Sequence, residues 1–201
     1  MNAPLPPPLP EDVVQRARNL LAEARTSGLP EPDAMTLATV GDDGSPSSRT
    51  VLLKALDSRG LCFYTNFESR KGRDLLQRPL ASVTFYWPPL WKQMHCSGPV
   101  ERLTAAENDA YWATRRRAHQ LGAWVSQQSR EIDNPRLLDE ALAAAEERFR
   151  DRPIPRPDYW GGFLLRPRRV EFWTGREARL HLRECFEATS AGGWRRFWLF
   201  P

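Results

Sequence analysis

The stretch MTLATVGDDGSPSSRTVLLKALDSRGLCFYTN, Met35 to Asn66, decides the fold. It holds three runs rich in β-branched and aromatic residues, Met35 to Val40, Ser48 to Leu56 and Leu61 to Asn66, each read as a strand. Gly41-Asp42-Asp43-Gly44 and Asp57-Ser58-Arg59-Gly60 separate them with turn chemistry. Two tight turns in succession predict a β-meander and so an antiparallel sheet.

Upstream, Val13, Val14, Ala17, Leu20, Leu21 and Ala24 recur at helical spacing, predicting an amphipathic helix from Glu11 to Ser27 that Gly28 and Pro30 end. Pro4, Pro6, Pro7, Pro8 and Pro10 exclude the apolar core of a signal peptide, so residues 1–10 are expected to form a disordered or extended tip. Downstream, Ser69 to Gln77 reads as a short helix with Ser69 as N-cap. Leu80 to Tyr86 and Gln93 to Leu103 resume the strand pattern. Thr104-Ala105-Ala106-Glu107 has capping-box spacing and opens a helix running towards Arg115. Further helices are expected over Arg117 to Gln128 and Pro135 to Arg150, then a proline-rich linker, then strands over Gly162 to Trp173, Arg179 to Ala188 and Trp194 to Phe200. The prediction is one domain over residues 11–201, mainly β with peripheral α-helices, built as an antiparallel barrel.

Composition narrows the function. The 201 residues carry 29 basic and 25 acidic side chains, a net +4 that suits phosphorylated small molecules at least as well as nucleic acid, and no long basic run marks a nucleic-acid tail. Cys62, Cys96 and Cys185 are odd in number and far apart, which fits buried thiols in a reducing cytoplasm rather than disulfides or zinc. No segment has the length of a membrane span. The P-loop, G-x-G-x-x-G, G-x-S-x-G and H-E-x-x-H motifs are all missing, which argues against triad hydrolysis and metal catalysis; no metal site is expected.

Cationic clusters carry the remaining signal. Read as a strand, Arg179-Leu180-His181-Leu182-Arg183 stacks Arg, His and Arg on one face and sends both leucines into a core; three such neighbours call for an anion. Ser69-Arg70-Lys71 sets two cations against the positive end of a helix, where a phosphate held by backbone N–H groups and the Ser69 hydroxyl would explain them. Tyr64-Thr65 closes the strand before it. Arg49 and Lys54, an odd number of residues apart, face opposite sides of a regular strand; they serve two groups, one ligand across a bulge, or simply solvent. Tyr111 and Arg115 share a helix face, with His119 a turn further on if the helix continues, and form a second phosphate grip or an exposed packing pair. Gln93, Gln128 and Ser129 can hydrogen-bond a heteroaromatic edge, and Trp173 can pack beside such a ring or in a core.

Taken together, Arg-x-Val-Leu-Leu-Lys (49–54), Phe63-Tyr64-Thr65-Asn66, Ser69-Arg70-Lys71, Gly122-Ala123-Trp124-Val125-Ser126-x-Gln128-Ser129, Trp160-Gly161-Gly162-Phe163, Glu171-Phe172-Trp173 and Arg179-Leu180-His181-x-Arg183 resemble the pyridoxine/pyridoxamine 5'-phosphate oxidases. The resemblance runs from about Met35 to the C-terminus. It implies an FMN-binding split β-barrel, a homodimer with FMN at the subunit interface, and oxidation of pyridoxamine or pyridoxine 5'-phosphate to pyridoxal 5'-phosphate with O2 reduced to H2O2. It also implies residue roles. Arg49, Thr50, Val51, Leu52, Leu53, Lys54, Tyr64, Thr65, Arg70, Lys71, Gln93, Gln128, Ser129, Trp173 and Arg183 would contact FMN, Arg70 and Lys71 at its phosphate. Lys54, Tyr111, Arg115 and His119 would grip the substrate phosphate. Arg179, Leu180 and His181 would hold the pyridine ring, with Arg179 and His181 as the catalytic pair. His119 stands where the family usually has serine, the start is proline-rich where a basic segment is common, and Trp198-Leu199-Phe200-Pro201 lacks the usual arginine. A flavin oxidase of another aromatic substrate, as in phenazine biosynthesis, and a non-catalytic FMN or pyridoxal-phosphate carrier are the competing expectations.

Overall fold

A computed structural model describes residues 4–201. Helix α1 (Glu11–Thr26) precedes the meander, which forms as β1 (Ala34–Val40), β2 (Pro46–Leu52), β3 (Ala55–Asp57) and β4 (Gly60–Asn66). Then come α2 (Arg70–Gln77), β5 (Leu80–Trp87), β6 (Lys92–Arg102), α3 (Ala105–Thr114), α4 (Arg117–Val125), α5 (Arg136–Arg148), β7 (Trp160–Leu165), β8 (Arg169–Thr174), β9 (Leu182–Ala188) and β10 (Trp194–Leu199). All ladders are antiparallel, in the order β10-β9-β8-β6-β5-β1-β2, while β7 leaves β6 to pair β4, and β4 pairs β3.

The long strand β6 makes the barrel. Lys92–Ser97 pairs β8, whereas Val100–Arg102 pairs β7. Between the two halves sits Gly98, where a Cβ would lie 2.1 Å from the Arg166 carbonyl oxygen, so only glycine allows the chains this close. Pro167 stands opposite, without an N–H to give a ladder. The single strand expected from Gly162 to Trp173 is therefore two. No ladder joins β2 to β4, so the barrel is split along that seam. The strand expected from Ser48 to Leu56 breaks there too, because the Leu53 N–H turns to Asp33 O and the Lys54 N–H to Cys62 O.

Inside the barrel lie Leu37, Phe63, Val83, Phe85, Phe163 and Leu165, all essentially without solvent contact. The apolar stripe of α1 (Val13, Val14, Ala17, Leu21, Ala24) covers this core. A second cluster, Trp112, Leu121, Phe149, Ile154 and Trp160, fixes the helical side. Of the tip expected to be disordered or extended, residues 4–10 run without helix or strand and are held against the domain. There the Leu9 side chain is buried and its N–H donates to Ser58 O, and Trp194 Nε1 donates to Pro8 O; residues 1–3 lie outside the described residues. Among the described residues no helix is long and apolar enough to cross a membrane.

Candidate active site

The seam between β2 and β4 opens into a cavity of about 470 Å³. Thr50, Val51 and Leu52 form one edge and Tyr64 and Thr65 the other, because β2 has no ladder partner beyond β1 and β4 has none besides β7 past Cys62, where its pairing with β3 ends. Lys54, Lys71, Arg115, Arg116 and His119 also line it, with Tyr111, Thr114 and Gln128, and not one lining residue is acidic.

Lys71 sits at one side. Its ammonium is 3.3 Å from Thr65 Oγ1, Ser69 Oγ and Gln128 Oε1, three neutral oxygens. Burial, with Arg49 nearby, pushes its pKa down, and no carboxylate pairs with it among the described residues. A half-buried cation without a counter-charge is the condition an incoming anion relieves. The cradle differs from the expected one, however. Ser69 Oγ is fully buried, accepts from the Gly72 N–H and donates to Asn66 O, and the Arg70 N–H donates to Ser129 Oγ. These groups are spent on capping the helix, which leaves the lysine as the donor that faces the cavity.

Arg115 anchors the other side. The helix does not continue to His119: α3 ends at Thr114, Arg115 is extended (ψ 140°), and α4 restarts at Arg117. The turn nonetheless brings His119 back, since Arg115 Nη2 donates to His119 O at 2.8 Å. The guanidinium lies 4.6 Å over the Trp160 ring, and Tyr111, centroid 3.9 Å from Tyr64, stacks in the same aromatic pile. Burial lowers the Arg115 pKa, with Tyr111 opposing. Its Nε is buried without a hydrogen-bond partner among the described residues.

Other expected contacts stand elsewhere. Arg49 donates to Leu37 O and Thr39 Oγ1, 3.9 Å from Asp74, behind the cavity wall, and Leu53 belongs to the core. Arg70 is exposed on α2. Gln93, Trp173 and Arg183 form one transverse row across β6, β8 and β9, and therefore share a face. The His181 ring packs 4.7 Å from Trp173, and its Nδ1 accepts from the Arg176 N–H, which leaves the proton of the neutral ring on Nε2. None of these, nor Arg179, lines the cavity in a single chain.

The pentad at 179–183 is not a strand. Glu177–Arg179 forms a 3₁₀ turn with Ala178 (φ 55°) and Arg179 (φ 60°) left-handed, and β9 begins only at Leu182. Leu180 is 65% exposed because the turn takes it off the sheet, and Leu182, although paired with Thr174 at the start of β9, is 40% exposed; neither reaches the core. Reasoning from sequence missed Thr114 and Arg116 in the cavity wall; the Arg115-Arg116-Arg117 run was the available signal.

Residues 21–149 match the family described as pyridoxamine 5'-phosphate oxidase, and residues 160–201 match the pyridoxine 5'-phosphate oxidase C-terminal dimerisation region. The chain belongs to the pyridoxamine 5'-phosphate oxidase family. Similar proteins named pyridoxine/pyridoxamine 5'-phosphate oxidase include that of Myxococcus xanthus strain DK1622, 46% identical over 96% of this chain and 93% of the relative. That of Salinibacter ruber is 48% identical over 92% and 86%. Among solved structures, PhzG from Burkholderia lata 383, in complex with tetrahydrophenazine-1-carboxylic acid, superposes with a TM-score of 0.89 at 32% identity, covering 96% of this chain and 94% of PhzG. A pyridoxamine 5'-phosphate oxidase-related, FMN binding protein from Nostoc punctiforme PCC 73102 shares the fold at TM-score 0.73 and 18% identity, over 95% and 96% of the two chains. Membership in the oxidase family accounts for the split barrel, and Trp173, Arg179, His181 and Arg183 lie in the segment 160–201 that matches the dimerisation region.

Proposed function

We propose that this chain is an FMN-dependent oxidase that converts pyridoxamine or pyridoxine 5'-phosphate to pyridoxal 5'-phosphate in the cytoplasm. The observation that carries the reading is the cavity at the barrel seam, lined by five basic side chains and no acid. A site of that charge suits two phosphorylated ligands, and its unpaired Lys71 fits the phosphate of FMN. Lys71, Thr65 and Gln128 would hold that end, while Lys54, Tyr111, Arg115 and His119 grip the substrate phosphate. When bound, FMN supplies the hydride acceptor and returns the electrons to O2, giving H2O2.

The chain's own residues then align and polarise. Gripping a phosphate remote from the reacting carbon turns binding energy into orientation. Arg179, held left-handed at φ 60° at the turn before β9, would place a positive charge against the substrate ring, and His181 offers a proton donor at Nε2. Because Gln93, Trp173, Arg179, His181 and Arg183 are absent from the cavity of one chain, and four of these five lie in the region matching a dimerisation segment, a homodimer would complete the site with the second copy. The phosphate-directed cations favour this substrate class over a phenazine-type acid, as do relatives more similar than PhzG.

The deciding experiment mixes the FMN-loaded protein with pyridoxamine 5'-phosphate in air and follows O2 uptake, H2O2 and aldehyde absorbance. Equal molar yields of aldehyde and peroxide are expected. Tightly held flavin with no aldehyde would reject the oxidase reading in favour of a carrier or another substrate.

A further inference from the structure

Glu171 belongs to none of the contacts assigned above, yet it is the most heavily bonded acid in the C-terminal third. It lies in β8 two residues before Trp173 and so on the same face, opposite His95 of β6 and Cys185 of β9. Its side chain is buried, and Arg183 closes on it as a fork: Nε donates to Oε1 at 2.7 Å and Nη2 to Oε2 at 3.0 Å. The Cys185 thiol donates to Oε2 at 3.6 Å, and Arg169 Nη2 stands 3.7 Å away. Burial works against the charged carboxylate, but Arg183, Cys185 and Arg169 together hold its pKa below the ordinary value.

We infer that Glu171 is a positioning residue, fixing the Arg183 guanidinium in the orientation in which it receives the flavin. This rests on the assignment of Arg183 to FMN made above. Three features separate the role from a simple ion pair. Arg169 already sets a cation beside the buried carboxylate, so neutralising it does not call for the bidentate geometry. That geometry fixes the plane of the guanidinium, which a point charge would not. And the fork, with the Nη1 bond to Phe200 O at 3.3 Å, uses three of the five N–H groups, leaving one on each Nη without a partner among the described residues. An arginine held this way enters binding with its rotamers already chosen.

The test uses the full-length apoprotein titrated with FMN, read by quenching of flavin fluorescence, with melting temperature and dimer content recorded for every variant. Glu171→Gln keeps the volume and removes the charged fork; it is expected to weaken FMN about tenfold, the scale of one charge-assisted contact. Arg183→Ala should weaken FMN at least as much, and the double variant no further than Arg183→Ala alone. A Glu171→Gln penalty that persists undiminished in the Arg183→Ala background would make Glu171 merely structural and overturn the inference. So would Glu171→Gln protein that binds FMN as tightly as wild type while Arg183→Ala does not. Should Glu171→Gln fail to fold, Glu171→Asp, which keeps the charge but withdraws it from the fork, must weaken FMN at unchanged melting temperature; unaltered affinity overturns the inference equally. Wild-type protein that quenches no flavin removes the flavin assignment itself, and this inference with it.

Discussion

Lys71 and Arg115 are both cations drawn partly out of water, and their surroundings separate their tasks. Lys71 meets only neutral oxygens near α2, whereas Arg115 is pinned over Trp160 beside Tyr111. Lys71→Ala is therefore expected to raise the FMN dissociation constant about tenfold or more. Arg115→Ala should leave flavin bound and raise KM for pyridoxamine 5'-phosphate by a similar factor; flavin titration and steady-state kinetics distinguish them, and equal flavin loss in both would merge the two sites. At the turn before β9, Ala178 and Arg179 are held left-handed, a conformation that costs a non-glycine residue about 1 kcal/mol or more. Ala178→Gly should relieve part of that strain and raise the melting temperature by a few degrees, about 0.5 kcal/mol after the unfolded chain's gain in freedom. It should also lower kcat, because Arg179 is released from its fixed direction. A variant that gains stability with unchanged kcat would show that the strain does not serve the arginine. The residues themselves were legible: basic pairs beside aromatic groups stand out in any sequence. Ser69 read both as an N-cap and as a phosphate donor, and which role takes its hydroxyl was not legible, since both use the same group.

Elements follow local rules where their ends carry a signal. The Thr104 capping box forms as its spacing foretold, with the Thr104 N–H donating to Glu107 Oε2 at 2.9 Å and the Glu107 N–H to Thr104 Oγ1 at 3.2 Å. Arg59 first, then Thr104, holds the Glu107 carboxyl down to about 2 from the ordinary 4.5. A depressed carboxyl adds stability that is complete above its unfolded pKa and is lost as pH falls through the window from about 4.5 to about 2. For a group this exposed, screening limits the effect to about 1 kcal/mol or less. Urea unfolding of Glu107→Gln should thus show a deficit near neutral pH that shrinks by about pH 3; a constant deficit would mean the carboxylate charge is not involved. Gly98 marks the point where β6 changes partner. Gly98→Val would drive a Cβ into the Arg166 carbonyl, where backbone cannot yield cheaply, and should cost about 3 kcal/mol or more in unfolding free energy or prevent folding. The breaks at Leu53-Lys54 and Arg166–Arg168 escaped the sequence reading because each is made by bonds to distant partners: Asp33 and Cys62, and the Ser97–Pro99 backbone.

At the scale of the whole molecule, the expected site is divided between the cavity at the barrel seam and the Gln93–Trp173–Arg183 row. If a homodimer joins them, dilution below the dimer dissociation constant should release flavin in step with the monomer fraction, followed by sedimentation and the recovery of flavin fluorescence. Monomer that keeps its flavin would place the complete site within one chain. The sequence by itself determined the strand and helix order, the helical caps and the choice of basic residues, because propensity, periodicity and side-chain charge act over a few neighbours. Only the tertiary structure decided which of those residues meet: the seam that makes a cavity from Thr50–Leu52 and Tyr64–Thr65, the turn that takes Leu180 out of the core, and the row that gathers Gln93, Trp173 and Arg183. Those outcomes depend on ladder register between strands far apart in the chain, and no local pattern encodes register across that distance.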